Sequence, residues 1–267
     1  MDNPVYHYIY KRSPKKPVVL FLHGFMGSAY EWLPIMEDIK NRYSAISLDL
    51  PGHGKTITEI SYWKRCNIHN VAEDICRLLD KLDIPKTYLY GYSMGGRIAL
   101  YMTVFYPHRF ERVIIESASP GIKEDRDRKI RMQNEAEISR MLTSINYETF
   151  LNLWYRQPIF GDLNQRDDFS LLIKTMQNNP LQLAYALRQL SVARQPELWS
   201  HLKDIKIPLC LLTGKKDVKF TSIASKMTKT NPSIIHNIVK GAAHKVHFEA
   251  PEEVINAIYA FFTAKKN

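Results

Sequence analysis

No stretch of the 267-residue sequence is apolar over enough residues to cross a membrane, and the opening MDNPVYHYIYKR has no apolar segment of the secretory type. The expectation is a cytoplasmic protein without stable membrane insertion. Cysteine is scarce. Cys66, Cys76 and Cys210 are an odd number without metal-ligand spacing. They are expected to be reduced and packed, Cys76 in a helix and Cys210 in a strand. No other set of His, Asp or Glu has ligand spacing either, so neither a metal nor another cofactor is expected. A basic block is also missing. The 37 Lys and Arg outnumber the 27 Asp and Glu for a net charge of +10, but the cations are scattered among acids. That pattern fits a solvated surface rather than a nucleic-acid face, and it leaves a few cations for an anionic small substrate. Nothing in the sequence points to an oligomeric state.

What is present is ordinary globular material, 45% hydrophobic and 24% charged, long enough for one large α/β domain. PVVLFLHGF (17–25) is too apolar for a half-exposed strand and reads as a buried parallel one. YSAISLDLPGHG (43–54) is a strand running into a Gly/Pro loop. NVAEDICRLLDKLDI places Val71, Ile75, Leu78, Leu79 and Leu82 on one helical stripe, with Asn70 as its cap. TYLYGYS is a strand, followed by a helix over 94–105 stopped by Pro107, and RVIIESASPG is a further strand. The alternation predicts a mostly parallel sheet with flanking helices. From 120 to 202 no strand is predicted, and the charged and aromatic helical segments read as a cap over a site. Strands resume at 207–217 and 233–244, and a helix closes the chain. The expected organisation is a core of 1–119 and 203–267 interrupted by a helical cap of 120–202.

Gly91-Tyr92-Ser93-Met94-Gly95 fits G-x-S-x-G between a strand and a helix, the setting of a nucleophile elbow. Glycines on both sides let the backbone close on a strained turn, and the helix N-terminus favours negative charge developing at the serine. A capping serine in a glycine-rich turn would look similar. A serine hydroxyl needs a histidine, and the histidine an orienting carboxylate. In this type of sheet they follow the serine in the order acid, histidine. Asp217 ends LLTGKKD and His244 ends IVKGAAH, each after an apolar strand. His247 is a rival base, though it sits nearer the closing helix. Asp49 precedes the serine and is assigned to bracing the following loop, as are His53 within that loop and His23 beside the first strand. The amides of Phe25, after HG, and of Met94, after the serine, are the expected donors to an anionic oxygen.

FLHGFMGS, LDLPGHG, GYSMGG, the GKKD turn and GAAHKVHFEAP together resemble the α/β-hydrolase fold family over essentially the whole chain. LHGFMGSAYEW, GYSMGGRIAL, ESASPGI, WYRQPIF and SLLIKTMQNNP are similar to the MenH family, the 2-succinyl-6-hydroxy-2,4-cyclohexadiene-1-carboxylate synthases of menaquinone biosynthesis. The resemblance implies a lyase that eliminates pyruvate from a cyclohexene bearing an enolpyruvyl ether, a succinyl ketone and a ring carboxylate. Ser93, with His244 and Asp217, would then be a base rather than a covalent nucleophile. It also implies that Arg97 grips one of three substrate carboxylates, with Arg131 and, a turn earlier, Arg128 in the cap. Trp154 and Tyr155 would line the pocket or pack the cap, and Tyr92 would lie beside the substrate.

Two positions depart from the family pattern. Lys174 and Thr175 stand where a second cap arginine is expected, with Lys174 as the point-charge replacement. Ala243 stands where a glycine often precedes the histidine. Two other classes of function stay open on the residues alone. One is a serine hydrolase of esters, thioesters or C–C bonds acting through a covalent Ser93 intermediate, since fold does not separate the chemistries. The other is a binding module that keeps the fold without the activity, which the complete Ser, Asp and His set disfavours.

Overall fold

The structure, a computed structural model, describes residues 4–264. Seven strands form one sheet: β1 (Tyr8–Lys11), β2 (Val18–Leu22), β3 (Ser44–Leu48), β4 (Thr87–Tyr92), β5 (Phe110–Glu116), β6 (Leu209–Gly214) and β7 (Ile235–Val239). Their order is β1-β3-β2-β4-β5-β6-β7. All neighbours are parallel except β1, which pairs antiparallel with β3. The apolar runs of β2 to β6 are explained by burial on both faces. Leu20 and Leu22 enter one core and Val19 and Phe21 the other, an alternation repeated by Val113 and Ile115 against Ile114.

Helices α1 (Leu33–Ile39) and α10 (Pro251–Thr263) cover one face. α2 (Ile68–Lys81), α3 (Met94–Phe105) and α8 (Val218–Thr230) cover the other. α2 begins three residues before the expected start. Its cap is Asn67 rather than Asn70, because the Asn67 side chain accepts the Asn70 amide at 3.0 Å. β1 was not legible in sequence. Its four residues are half-buried at the sheet edge and carry no continuous apolar signal.

Between β5 and β6 lie α4 (Asp125–Ser144), α5 (Tyr147–Trp154), α6 (Phe169–Thr175) and α7 (Pro180–Gln189). No strand is found there among the described residues. The Leu198 amide donates to Pro120 O at 2.7 Å, so the segment leaves and re-enters the core at one place. Its helices bury a third apolar cluster that includes Phe150, Leu151, Phe160 and Leu183, closed from below by Met26 and Phe25 of the loop after β2. The short α9 (Val246–Glu249) follows the loop that carries His244. Cys66, Cys76 and Cys210 are free and buried.

Candidate active site

The turn from β4 to α3 places Ser93 at φ 50°, a left-handed conformation that a non-glycine residue adopts only under constraint. The constraint is visible. The Ser93 amide donates to Glu116 O at 2.9 Å and the Gly95 amide to His23 O at 3.0 Å, pinning the turn to β5 and to the loop after β2. A Cβ on Gly95 would run into the Leu22 and His23 carbonyls, and one on Gly91 into Gly95 O. Both glycines are therefore required by close backbone approach.

The two partners reach the serine from later loops. His244 Nδ1 lies 2.6 Å from Asp217 Oδ2, and Nε2 lies 3.0 Å from Ser93 Oγ. With its Nδ1 proton donated to the carboxylate, Nε2 is left to accept from the serine hydroxyl. Asp217 also caps α8, its Oδ1 accepting the Phe220 amide at 3.1 Å. The imidazole is gripped on several sides. The Phe220 ring packs at 4.7 Å and the Tyr92 ring at 5.4 Å, and the His244 amide donates to Ile159 O of the helical segment. Ala243 has no positive φ, so its methyl costs the loop nothing there.

The rivals take the bracing positions. His247 donates from Nδ1 to Glu116 at 2.9 Å, inside a buried cluster with Glu31 and Lys245. Asp49 accepts from Ala29 N and Lys55 N and pairs with His7. His23 Nε2 accepts from Leu50 N, and His53 Nδ1 bonds Pro51 O. No group of three or more His, Cys, Asp or Glu among the described residues is placed to hold a metal.

Above Ser93 opens a cavity of about 290 Å³. Its charged lining is Arg97, Arg131, Lys219 and one carboxylate, Glu135. Arg97 donates to Gln195 Oε1 at 3.0 Å and to Leu190 O at 2.8 Å. Two of its five N–H donors are used, and the rest have no acceptor among the described residues. Burial pushes the Arg97 pKa down to about 10, with Glu135 opposing the shift and Arg131 adding to it. Arg131 donates from Nε to Glu135 at 2.7 Å. The amides of Phe25 and Met94 also lack acceptors among the described residues, Met94 because it opens α3.

Trp154 and Tyr155 resolve an open alternative by doing both things. Each lines the cavity and each packs in the apolar cluster of the helical segment, Trp154 against Phe25 and the buried Tyr155 against Phe160 and Phe169. Tyr92 lines the cavity as well. Two residues are not brought to it. Arg128 spends Nη1 on the carbonyls of Ala193 and Gln195. Lys174 is exposed on α6 and is not part of the lining. Which side chains of α4 and α6 reach the cavity is set by helix packing, which residue type alone does not encode. Conversely, the sequence reading missed Glu135, Gln195 and Lys219. Glu135 had a usable signal, four residues after Arg131 on one helix. Lys219 had none, being one of many dispersed lysines.

Residues 17–251 match the family model for the alpha/beta hydrolase fold. A 2-succinyl-6-hydroxy-2,4-cyclohexadiene-1-carboxylate synthase of Enterobacter sp. (strain 638) is 31% identical over 242 residues, covering 91% of this chain and 90% of that protein. Protein PHYLLO, chloroplastic, of Arabidopsis thaliana is 34% identical over 266 residues and 94% of this chain, yet the chain spans only 16% of PHYLLO's length. The structure of MenH from S. aureus superposes with a TM-score of 0.88 at 30% identity, covering 96% of this chain and 97% of that one. With a strained serine turn, a parallel sheet and near full-length likeness in agreement, the chain belongs to the α/β-hydrolase fold family and, within it, to the MenH family of 2-succinyl-6-hydroxy-2,4-cyclohexadiene-1-carboxylate synthases.

Proposed function

We propose that the protein is a carbon–oxygen lyase that eliminates pyruvate from 2-succinyl-5-enolpyruvyl-6-hydroxy-3-cyclohexene-1-carboxylate. The observation that carries this reading is the presence of Arg97 and Arg131 in the same cavity as the Ser93–His244–Asp217 chain. A site for neutral esters gains nothing from half-buried guanidinium groups, whereas a tricarboxylate needs them.

In the proposed reaction the Ser93 hydroxyl proton passes to His244 Nε2, and Asp217 stabilises the imidazolium. The serine oxygen takes the ring proton α to the succinyl ketone. The electron pair moves onto the ketone oxygen, which the Phe25 and Met94 amides hold; donors of this kind contribute about 3 kcal/mol each. When the pair returns through the ring double bond, the bond from ring carbon to enolpyruvyl oxygen breaks. The departing enolate takes up a proton and becomes pyruvate. Arg97, Arg131 and Lys219 take the carboxylates, with Trp154, Tyr155 and Tyr92 shaping the apolar wall. Residues 120–202 serve as the cap that excludes water. Three buried free thiols suit a reducing cytoplasmic setting.

The test is incubation with the enolpyruvyl cyclohexene substrate while following pyruvate release. Absence of release from wild-type protein overturns the reading. A serine hydrolase is the second reading, favoured by the strained Ser93 turn, which would serve covalent attack equally well. Stoichiometric labelling by a covalent serine probe, together with rapid turnover of p-nitrophenyl esters, would select it.

A further inference from the structure

A polyanion site has no evident use for a carboxylate of its own, yet Glu135 lines this cavity and is only 3% exposed. As a bare charge it would repel the substrate. Its bonds suggest a different use. Oε1 accepts from Arg131 Nε, leaving the two Nη groups as the donors available to the cavity. Oε2 accepts from the Ser191 hydroxyl, and that oxygen in turn accepts the Ala193 amide at 3.0 Å. Ser191 O also takes the Arg194 and Gln195 amides. The turn 190–195 is thereby folded around Ser191 and anchored on Glu135. This turn supplies both acceptors that aim Arg97, Leu190 O and Gln195 Oε1. Gln195 is itself buried, with its Nε2 unpartnered, so the turn rather than a second bond keeps that side chain in place.

We infer that Glu135 is a positioning residue for carboxylate recognition: it presents the Nη edge of Arg131 directly and aims Arg97 through Ser191 and the 190–195 turn. The inference rests on the reading of the cavity as a polycarboxylate site. It explains why an anion is kept there. Arg97 and Arg131 facing one another without a counter-charge would repel, and Glu135 offsets that repulsion while holding the two in register.

The two roles predict opposite signs. If Glu135 were a spectator charge, Glu135→Gln would raise the positive potential and lower KM. A positioning role raises KM roughly ten-fold, with kcat changing less than about three-fold, because charge-assisted bonds become neutral ones. Ser191→Ala alters no charge and cuts only the branch toward Arg97. It should raise KM in the same direction, and it decides the matter alone if Glu135→Gln does not fold. Glu135→Asp, which keeps the charge, should recover part of the loss. Calorimetric titration with succinate runs beside the kinetics as a probe independent of turnover. If wild-type protein releases no pyruvate but binds succinate more tightly than both variants, the functional reading fails and the role of Glu135 stands. A lower or unchanged KM in the folded variants, or succinate binding unaffected by them, overturns the role. Wild-type protein that neither turns over nor binds succinate overturns both.

Discussion

Arg97 and Gln195 lie 98 residues apart in the chain, and Nη1 of the first donates to Oε1 of the second at 3.0 Å. The arginine is thus aimed before any substrate arrives, by a side chain from the far end of the helical segment. Arg97→Ala is expected to lower kcat/KM for the tricarboxylate by roughly 100-fold. Arg97→Lys should recover little, since an ammonium lacks the fork that meets two oxygens at once. Steady-state kinetics on both variants check this.

Asp217 holds two posts, and they separate by substitution. Asp217→Asn keeps an oxygen for the Phe220 amide but leaves no anion beside His244. It should lose activity by about 10³-fold or more while unfolding near the wild-type midpoint. Asp217→Ala should lose the activity and also about 1 kcal/mol of stability through the missing cap of α8. Equal stability for the two variants would refute the double role.

Lys219 and Lys174 make a paired comparison. Lys219→Ala should raise KM several-fold, by roughly 1 kcal/mol of lost charge attraction at a half-open site. Lys174→Ala should leave KM within about two-fold, since its exposed side chain stands apart from the cavity lining. A larger effect at Lys174 would show that the helical segment rearranges to bring it in.

Two buried histidines give pH responses of opposite sign. Burial opposes charge on His247, but the carboxylates of Glu116 and Glu31 together outweigh it and the pKa lies above the ordinary 6.5. Its contribution is complete below the unfolded value and is lost as pH rises through the folded one. His53 is pushed down to about 3, chiefly by burial and then by neighbouring His23. Its neutral form is the one that folds, so stability falls as pH drops from the unfolded value of 6.5 toward 3. Urea unfolding between about pH 5 and about pH 9 should show His247→Gln converging on wild type at the alkaline end. His53→Gln should be hurt least, relative to wild type, at the acid end.

Gly95→Ala tests the turn itself. Its methyl meets two backbone carbonyls that cannot swing aside, so a loss of more than about 3 kcal/mol is expected, with activity lost even in any folded fraction. A stable, active variant would mean that the turn is looser than its hydrogen bonds imply.

Much of this molecule was written in local pattern. Doubly buried strands read as unbroken apolar runs, α3 was bounded by Ser93 before it and Pro107 after it, and Ser93, Asp217 and His244 each sit just past a strand, where side chains at the strand ends must converge. Those features depend on neighbours in sequence or on the connection rules of a parallel sheet. What depended on packing between distant segments was not readable. The edge strand β1 exists because β3 offers it a partner. The divergence of Arg131, which lines the cavity, from Arg128, which serves the 190–195 turn, follows from how α4 rolls against α7. Glu135 showed its pairing with Arg131 in the local spacing, but its hold on Ser191, like the place of Lys219 in the cavity, came only from tertiary structure, because a charge acquires a role from what surrounds it in space, and the chain order of that surrounding is arbitrary.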